Sequence, residues 1–190
     1  INQPSNTIVF SKGKKMIKSS GSSTHWFEWI NKPQVVDPCI LTLEGHSGWV
    51  YDCAFSPEGK EIISASWDKT LKLWDAKTGK ELRSYLGHSN KVRGCIFSPD
   101  GKKILSASED NTLRLWDRDT GKVIKIYLGH SRDVEGCAFS PDGTKIASAS
   151  WDNTLKIWDI KTEMVFRTLI GHSKYVKKCT FSPDSKKILS

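Results

Sequence analysis

Three residue types that can form a hydrolytic relay recur along this 190-residue chain at a fixed interval. Histidine stands at His46, His88, His130 and His172, serine at Ser64, Ser106, Ser148 and Ser190, and aspartate at Asp68, Asp110 and Asp152. The step is 42 residues each time. A serine hydroxyl activated by a histidine and a carboxylate attacks acyl carbons. The pattern argues against that use. Three complete sets occur where one active site needs one. No serine sits in a G-x-S-x-G elbow, and all lie inside runs that read as strands. There is no P-loop and no G-x-G-x-x-G turn to cradle phosphates. Cys-x-x-Cys pairs and zinc-type Cys/His spacings are missing as well. The chain therefore reads as a non-enzyme with no catalytic residue, no cofactor and no metal.

These residues must be held by the elements around them. Aligning 45–86 with 87–128 gives 25 identities in 42 positions without a gap. Such self-similarity marks a repeat architecture. Each unit divides into four short runs: in the first, VYDCAF, EIISAS, LKLWD and ELRSYL. The runs alternate in polarity or are rich in β-branched and aromatic residues, as strands are. The separators SPEG, WDKT, AKTG and GHSG carry residues that set turn dihedrals. No stretch has a helical period. The fold class is all-β, with one four-stranded antiparallel sheet per repeat. Such a sheet has two faces to bury, and stacking copies around an axis buries them against each other.

Composition is that of a globular protein, 37% hydrophobic and 26% charged. No run approaches the ~20 apolar residues that span a bilayer. The N-terminus has no apolar stretch of the secretory kind. It also lacks a Met, which with the stop inside a strand reads as a fragment of a longer protein. Cys53, Cys95, Cys137 and Cys179 repeat at the 42-residue step, and Cys39 is left over. Equivalent positions in neighbouring repeats lie too far apart for a disulfide, so these read as small buried hydrophobes. Free thiols point to a reducing compartment, the cytoplasm.

Gly-His near the start of each unit, Ser-Ala-Ser-x-Asp in the middle and Trp-Asp on the third strand resemble the WD-repeat β-propeller family. The resemblance covers 45–190 strongly and 10–44 weakly. It implies a propeller of about four blades, part of a ring of about seven. The implied domains are a degenerate repeat at 1–44, full repeats at 45–86, 87–128 and 129–170, and a truncated repeat at 171–190. A closed ring could also arise in a homodimer that joins two chains. The family's buried hydrogen-bond network maps onto His46, Ser64, Asp68 and Trp74, then His88, Ser106, Asp110 and Trp116, then His130, Ser148, Asp152 and Trp158. The truncated repeat offers His172 and Ser190. The degenerate one offers Ser19 and Trp29, with Ser23 in place of Asp. The chemistry is coherent without the family. A buried indole N–H needs an acceptor, a hydroxyl can accept and donate, neutral imidazole does the same, and a carboxylate closes the chain.

The resemblance also assigns a partner face. The positions that line it are Trp49, Tyr51 and Trp67; Lys91, Arg93 and Glu109; Asp133, Glu135 and Trp151; and Tyr175 and Lys177. The repeats differ most at these places. Trp67 and Trp151 stand outside the buried network, and Trp, Tyr and Arg dominate binding hot spots; the other reading is that the rings pack on neighbouring loops. The expected function is a scaffold that presents this face to a protein or peptide. The alternative is a binder of nucleic acid or of an anionic surface. It would use the lysine-rich opposite face: Lys12, Lys14, Lys15, Lys60, Lys102, Lys103, Lys145, Lys186 and Lys187, with Lys77, Lys80, Lys122 and Lys161. Glu58, Asp100, Asp142 and Asp184 dilute that charge.

Overall fold

The computed structural model describes residues 15–18, 25–28, 39 and 41–190. The chain forms two compact units, Ile1–Ile40 and Leu41–Ser190. In the first, β1 (Lys15–Lys18) pairs antiparallel with β2 (His25–Glu28). Ser19, Ser23, Trp29, Lys12 and Lys14 lie outside the described residues.

The second unit is built from three four-stranded antiparallel sheets and one two-stranded sheet. The first blade holds β3 (Val50–Phe55), β4 (Glu61–Ser66), β5 (Leu71–Asp75) and β6 (Glu81–Tyr85). The second holds β7 (Val92–Phe97), β8 (Lys103–Ser108), β9 (Leu113–Asp117) and β10 (Val123–Tyr127). The third holds β11 (Val134–Phe139), β12 (Lys145–Ser150), β13 (Thr154–Asp159) and β14 (Val165–Ile170). β15 (Thr180–Phe181) and β16 (Ile188–Leu189) form the last pair. Strands pair in chain order within each blade. The first strands also pack in succession, β3 on β7, β7 on β11 and β11 on β15. The β-propeller blades expected from the repeat are thus present.

The two-residue period of each strand sends its side chains to both faces, and in the second blade each face meets a different neighbour. Ile63, Ala65, Leu71, Leu73 and Tyr85 of the first blade pack on Val92, Cys95, Phe97, Ile104 and Trp116 of the second. One blade on, Leu105, Ala107, Leu113, Leu115 and Tyr127 meet Val134, Phe139, Ile146 and Trp158. Ala147, Ala149 and Leu155 then meet Val176 and Phe181. The core therefore lies between blades. Each fully buried aliphatic or aromatic side chain there contributes about 1.5–3 kcal/mol.

The thiols divide by the same rule. Cys95 is buried, Cys137 and Cys179 are half-buried, and all three are free. Burial pushes the thiols of Cys95 and Cys137 up, and that of Cys179 up to about 12. Cys53 corrects the expectation of a buried residue: it is exposed. Its side of β3 is the face that a neighbouring blade covers for Cys95, and no core cluster of the described residues includes it.

Each blade has two ends. The turns between first and second strands and between third and fourth strands lie at one end, the lower face. The turn between second and third strands and the Gly-His connection lie at the other, the upper face.

Candidate partner-binding face

The upper face rests on a relay inside each blade. In the second blade the Trp116 indole N–H donates to Ser106 Oγ at 2.8 Å. His88 Nε2 lies 2.7 Å from the same oxygen, and His88 Nδ1 lies 2.7 Å from Asp110 Oδ2. A carboxylate only accepts, so Nδ1 carries the proton and Nε2 takes the serine O–H. The first blade repeats this with Trp74, Ser64, His46 and Asp68, the third with Trp158, Ser148, His130 and Asp152. In the last pair His172 Nε2 lies 2.8 Å from Ser190 Oγ.

Sequence reasoning missed the other half of each relay. Thr70, Thr112 and Thr154 donate hydroxyl and amide to the second carboxylate oxygen of Asp68, Asp110 and Asp152. These threonines also recur every 42 residues, which is the signal that would have found them. Burial works against the Asp110 carboxylate, but bonds from His88, Thr112 and the Ser89 amide outweigh it and hold its carboxyl well below the usual range. Asp68 and Asp152 are held at about 2 for similar reasons. Burial, opposed by the aspartate, lowers His88 and His130, so both are neutral at pH 7. Ser106 and Ser148 have no exposed surface.

The glycine of Gly-His also has a physical reason. Gly87 and Gly129 have φ of 153° and 151°, a region that disfavours side chains. A Cβ on Gly87 would sit 3.3 Å from the Trp116 ring and 2.7 Å from Arg114 Nη1.

The upper-face side chains are aimed by backbone features. The register of β3 against β4 slips between Val50 and Asp52, leaving Tyr51 as a bulge residue. Arg93 and Glu135 occupy the same bulge in β7 and β11. A bulge bends the strand and re-aims its side chain. Backbone bonds tie the loop and turn positions together: Trp67 N–H to Trp49 O, Glu109 N–H to Lys91 O and Trp151 N–H to Asp133 O, at 2.8–2.9 Å.

The result is a ladder across blades. Trp49 meets Trp67 edge-on at 4.7 Å, and Tyr51 stacks on Trp67 at 6.3 Å. Lys91 Nζ lies 4.0 Å over Trp67, and the Arg93 guanidinium lies 4.1 Å over Tyr51. Glu109 pairs with both cations. Further on, the Trp151 indole N–H donates to Glu135 at 2.8 Å, Trp151 packs on Tyr175 at 5.2 Å, and Lys177 reaches over Tyr175. Trp49 remains 70% exposed, Tyr175 50% and Trp67 37%. Trp151 is half-buried, and Asp133 is half-buried with no ion pair among the described residues.

On the lower face, Lys60, Lys77, Lys80, Lys102, Lys122, Lys161, Lys186 and Lys187 are exposed. Asp100, Asp142 and Asp184 are folded into their own turns by Ser98, Ser140 and Ser182. Among the described residues no cluster suited to a metal is found, and no helix is long and apolar enough to cross a membrane.

Comparison with known proteins places these features. Residues 37–75, 79–117, 121–159 and 164–190 match the family model described as "WD domain, G-beta repeat". "Apoptotic protease-activating factor 1" of Mus musculus is 34% identical over 81 residues, 42% of this chain and 6% of that protein. "Small ribosomal subunit protein RACK1" of Saccharomyces cerevisiae is 49% identical over 41 residues, 22% of this chain and 13% of that protein. The "Vegetative incompatibility protein HET-E-1" of Podospora anserina is 44% identical over 55 residues, 27% of this chain and 4% of that protein. The chain thus spans a small part of the length of these curated relatives. A solved structure described as "Structure of U3-55K" superposes with a TM-score of 0.70 at 26% identity, covering 73% of this chain and 44% of that one.

Proposed function

Because the chain belongs to the WD-repeat family, we propose that it is a non-catalytic scaffold whose upper face docks a protein or peptide in the cytoplasm. The observation that carries this reading is the pair Trp49 and Trp67. They meet edge to face, stay exposed and take no part in the relay, which uses Trp74. Trp, Tyr and Arg are the residue types enriched at binding hot spots, and this face carries all three. The ladder also fixes these side chains before a partner arrives, which lowers the ordering cost of binding.

The test is peptide selection from a random displayed library against the 190-residue chain. Selected peptides should lose at least about tenfold in affinity for a Trp67→Ala, Trp151→Ala double variant. Selected peptides that bind the double variant unchanged would remove the upper face as the docking surface.

A further inference from the structure

The indole N–H groups divide the tryptophans of the blades into two kinds. Those of Trp74, Trp116 and Trp158 donate to serine inside the relays, and that of Trp151 donates to Glu135. Those of Trp49 and Trp67 donate to nothing among the described residues, and neither does the Tyr51 hydroxyl. These three donors share one corner of the upper face. Trp49 meets Trp67 edge to face at 4.7 Å, and Tyr51 stacks on Trp67 at 6.3 Å. Trp49 is 70% exposed and Trp67 37%.

The charges of the same corner are engaged with one another. Lys91 lies over the Trp67 ring and Arg93 over the Tyr51 ring. Both pair with Glu109, whose side chain is 9% exposed, and Glu135 of the next blade also acts on Arg93. Asp68 accepts from His46, the Ser47 amide and Thr70. The Trp49 carbonyl accepts the Trp67 amide. A basic partner residue would meet Lys91, Arg93 and the exposed Lys69. An acidic one would compete with Glu109 for cations that it already holds. The corner thus offers ring surface and free donors, and its carboxylates are taken. The electrostatic complement of such a surface is an uncharged chain that accepts hydrogen bonds and donates few. Proline is the residue with a backbone carbonyl and no N–H. In the polyproline II helix the carbonyls have no internal partner. That helix is ordered before it binds, as is the aromatic corner, so little freedom is lost on docking.

On the reading that the upper face is the docking surface, we propose that the segment it takes is proline-rich. Prolyl rings pack on Trp49 and Trp67, and the carbonyls between them accept from the two indole N–H groups and from the Tyr51 hydroxyl. Trp151 has its N–H committed to Glu135, so the anchor lies on the first blade.

The experiment follows the indole N–H signals of the 15N-labelled chain during titration with acetyl-octaproline amide. The signals of Trp49 and Trp67 should shift in a saturable way, while those of Trp74, Trp116 and Trp158 stay in place. Acetyl-octalysine amide and acetyl-octaglutamate amide share the length but carry charge. At physiological ionic strength each should bind at least about tenfold more weakly. Trp49→Ala should weaken octaproline binding at least about tenfold. Trp67→Phe keeps a ring and removes a donor, and should weaken it about fivefold. Octaproline that leaves both signals unmoved would overturn the proposal. So would a charged peptide that binds as tightly, or a Trp67→Phe variant of unchanged affinity. The displayed library separates this failure from failure of the upper face. Selected peptides without proline that still need Trp67 and Trp151 would keep the face and remove proline as its ligand. Selected peptides indifferent to both would remove the face as well.

Discussion

Phe97 and Phe55 hold the same place in successive repeats, at the end of the first strand of their blade. One is 5% exposed and the other 65%. Phe139, a repeat further, is 8% exposed. Val92 and Val134 are fully buried while Val50 is 53% exposed. An open cavity of about 330 Å³, lined by Val50, Cys53, Phe55, Ile62 and Trp74, lies on the first blade where the second and third have packed side chains. The sequences at these places are nearly the same, so sequence alone does not set burial. In the second and third blades, side chains of the preceding blade cover them. Stability in such an array is a sum of nearest-neighbour contacts, and a residue counts only when its neighbour is present.

The sharpest way to break this comparison is to truncate both phenylalanines. Phe97→Ala should cost about 3–5 kcal/mol, the range for large aromatics removed from packed cores. Phe55→Ala should cost less than about 1 kcal/mol, as for an exposed site. Urea midpoints of the two variants measure the difference. Equal costs would mean that Phe55 is covered in solution.

A smaller difference is expected in the relay. Ser106→Ala removes the acceptor of the Trp116 indole and the partner of His88 in a sealed site, at a cost of about 1–3 kcal/mol. Ser64→Ala should fall at the low end, about 1 kcal/mol, because the cavity beside Ser64 lets water replace the lost bond. Thermal unfolding of both variants decides whether the first blade is looser in its interior as well as at its face.

Acid should act on the same relays more gently than either substitution. His88 and His130 titrate lower in the folded chain than their unfolded value of 6.5. The unfolded chain therefore binds protons first, and stability is complete above that value and falls as pH drops through the folded pKa values. The aspartates extend the loss. Asp68, Asp110 and Asp152 are lowered from 3.8, so their contribution persists above that value and vanishes as pH falls through the folded values. Melting temperatures at about pH 7.5 and pH 5.5 should differ, with the lower at acid pH, and the difference should shrink in a His88→Gln variant. An unchanged melting temperature across that interval would remove the buried neutral imidazoles from the account.

The blades were legible because turn chemistry and two-residue alternation act locally. VYDCAF, EIISAS and LKLWD are strands over the expected residues. The buried Ser106 and Trp116 could be read in the same way, since a recurring polar set needs internal partners. What escaped the sequence was relational. Arg118 looks like any exposed turn residue until the first blade's Glu58 and Glu61 are beside it. The slip that aims Tyr51, Arg93 and Glu135 is a property of pairing, and no residue type announces it. Cys53 was misread because its covering neighbour was assumed from its repeat position.

The smallest effect is expected at the most conspicuous residue. Trp49 is 70% exposed, and its contact in the fold is the edge of Trp67. An aromatic pair of this kind is worth about 0.5–1.5 kcal/mol, so Trp49→Ser should shift the urea midpoint by no more than that. Trp74→Ala in the same blade, which strips a 1% exposed indole and its bond to Ser64, should cost about 3–5 kcal/mol. The two tryptophans lie in one repeat and differ in what they touch. If Trp49 adds little to stability, its indole is available to a partner at almost no cost to the fold, which is the condition a docking residue must meet. If Trp49→Ser is as damaging as Trp74→Ala, the ring is packing, and the upper face loses the residue on which its assignment most depends.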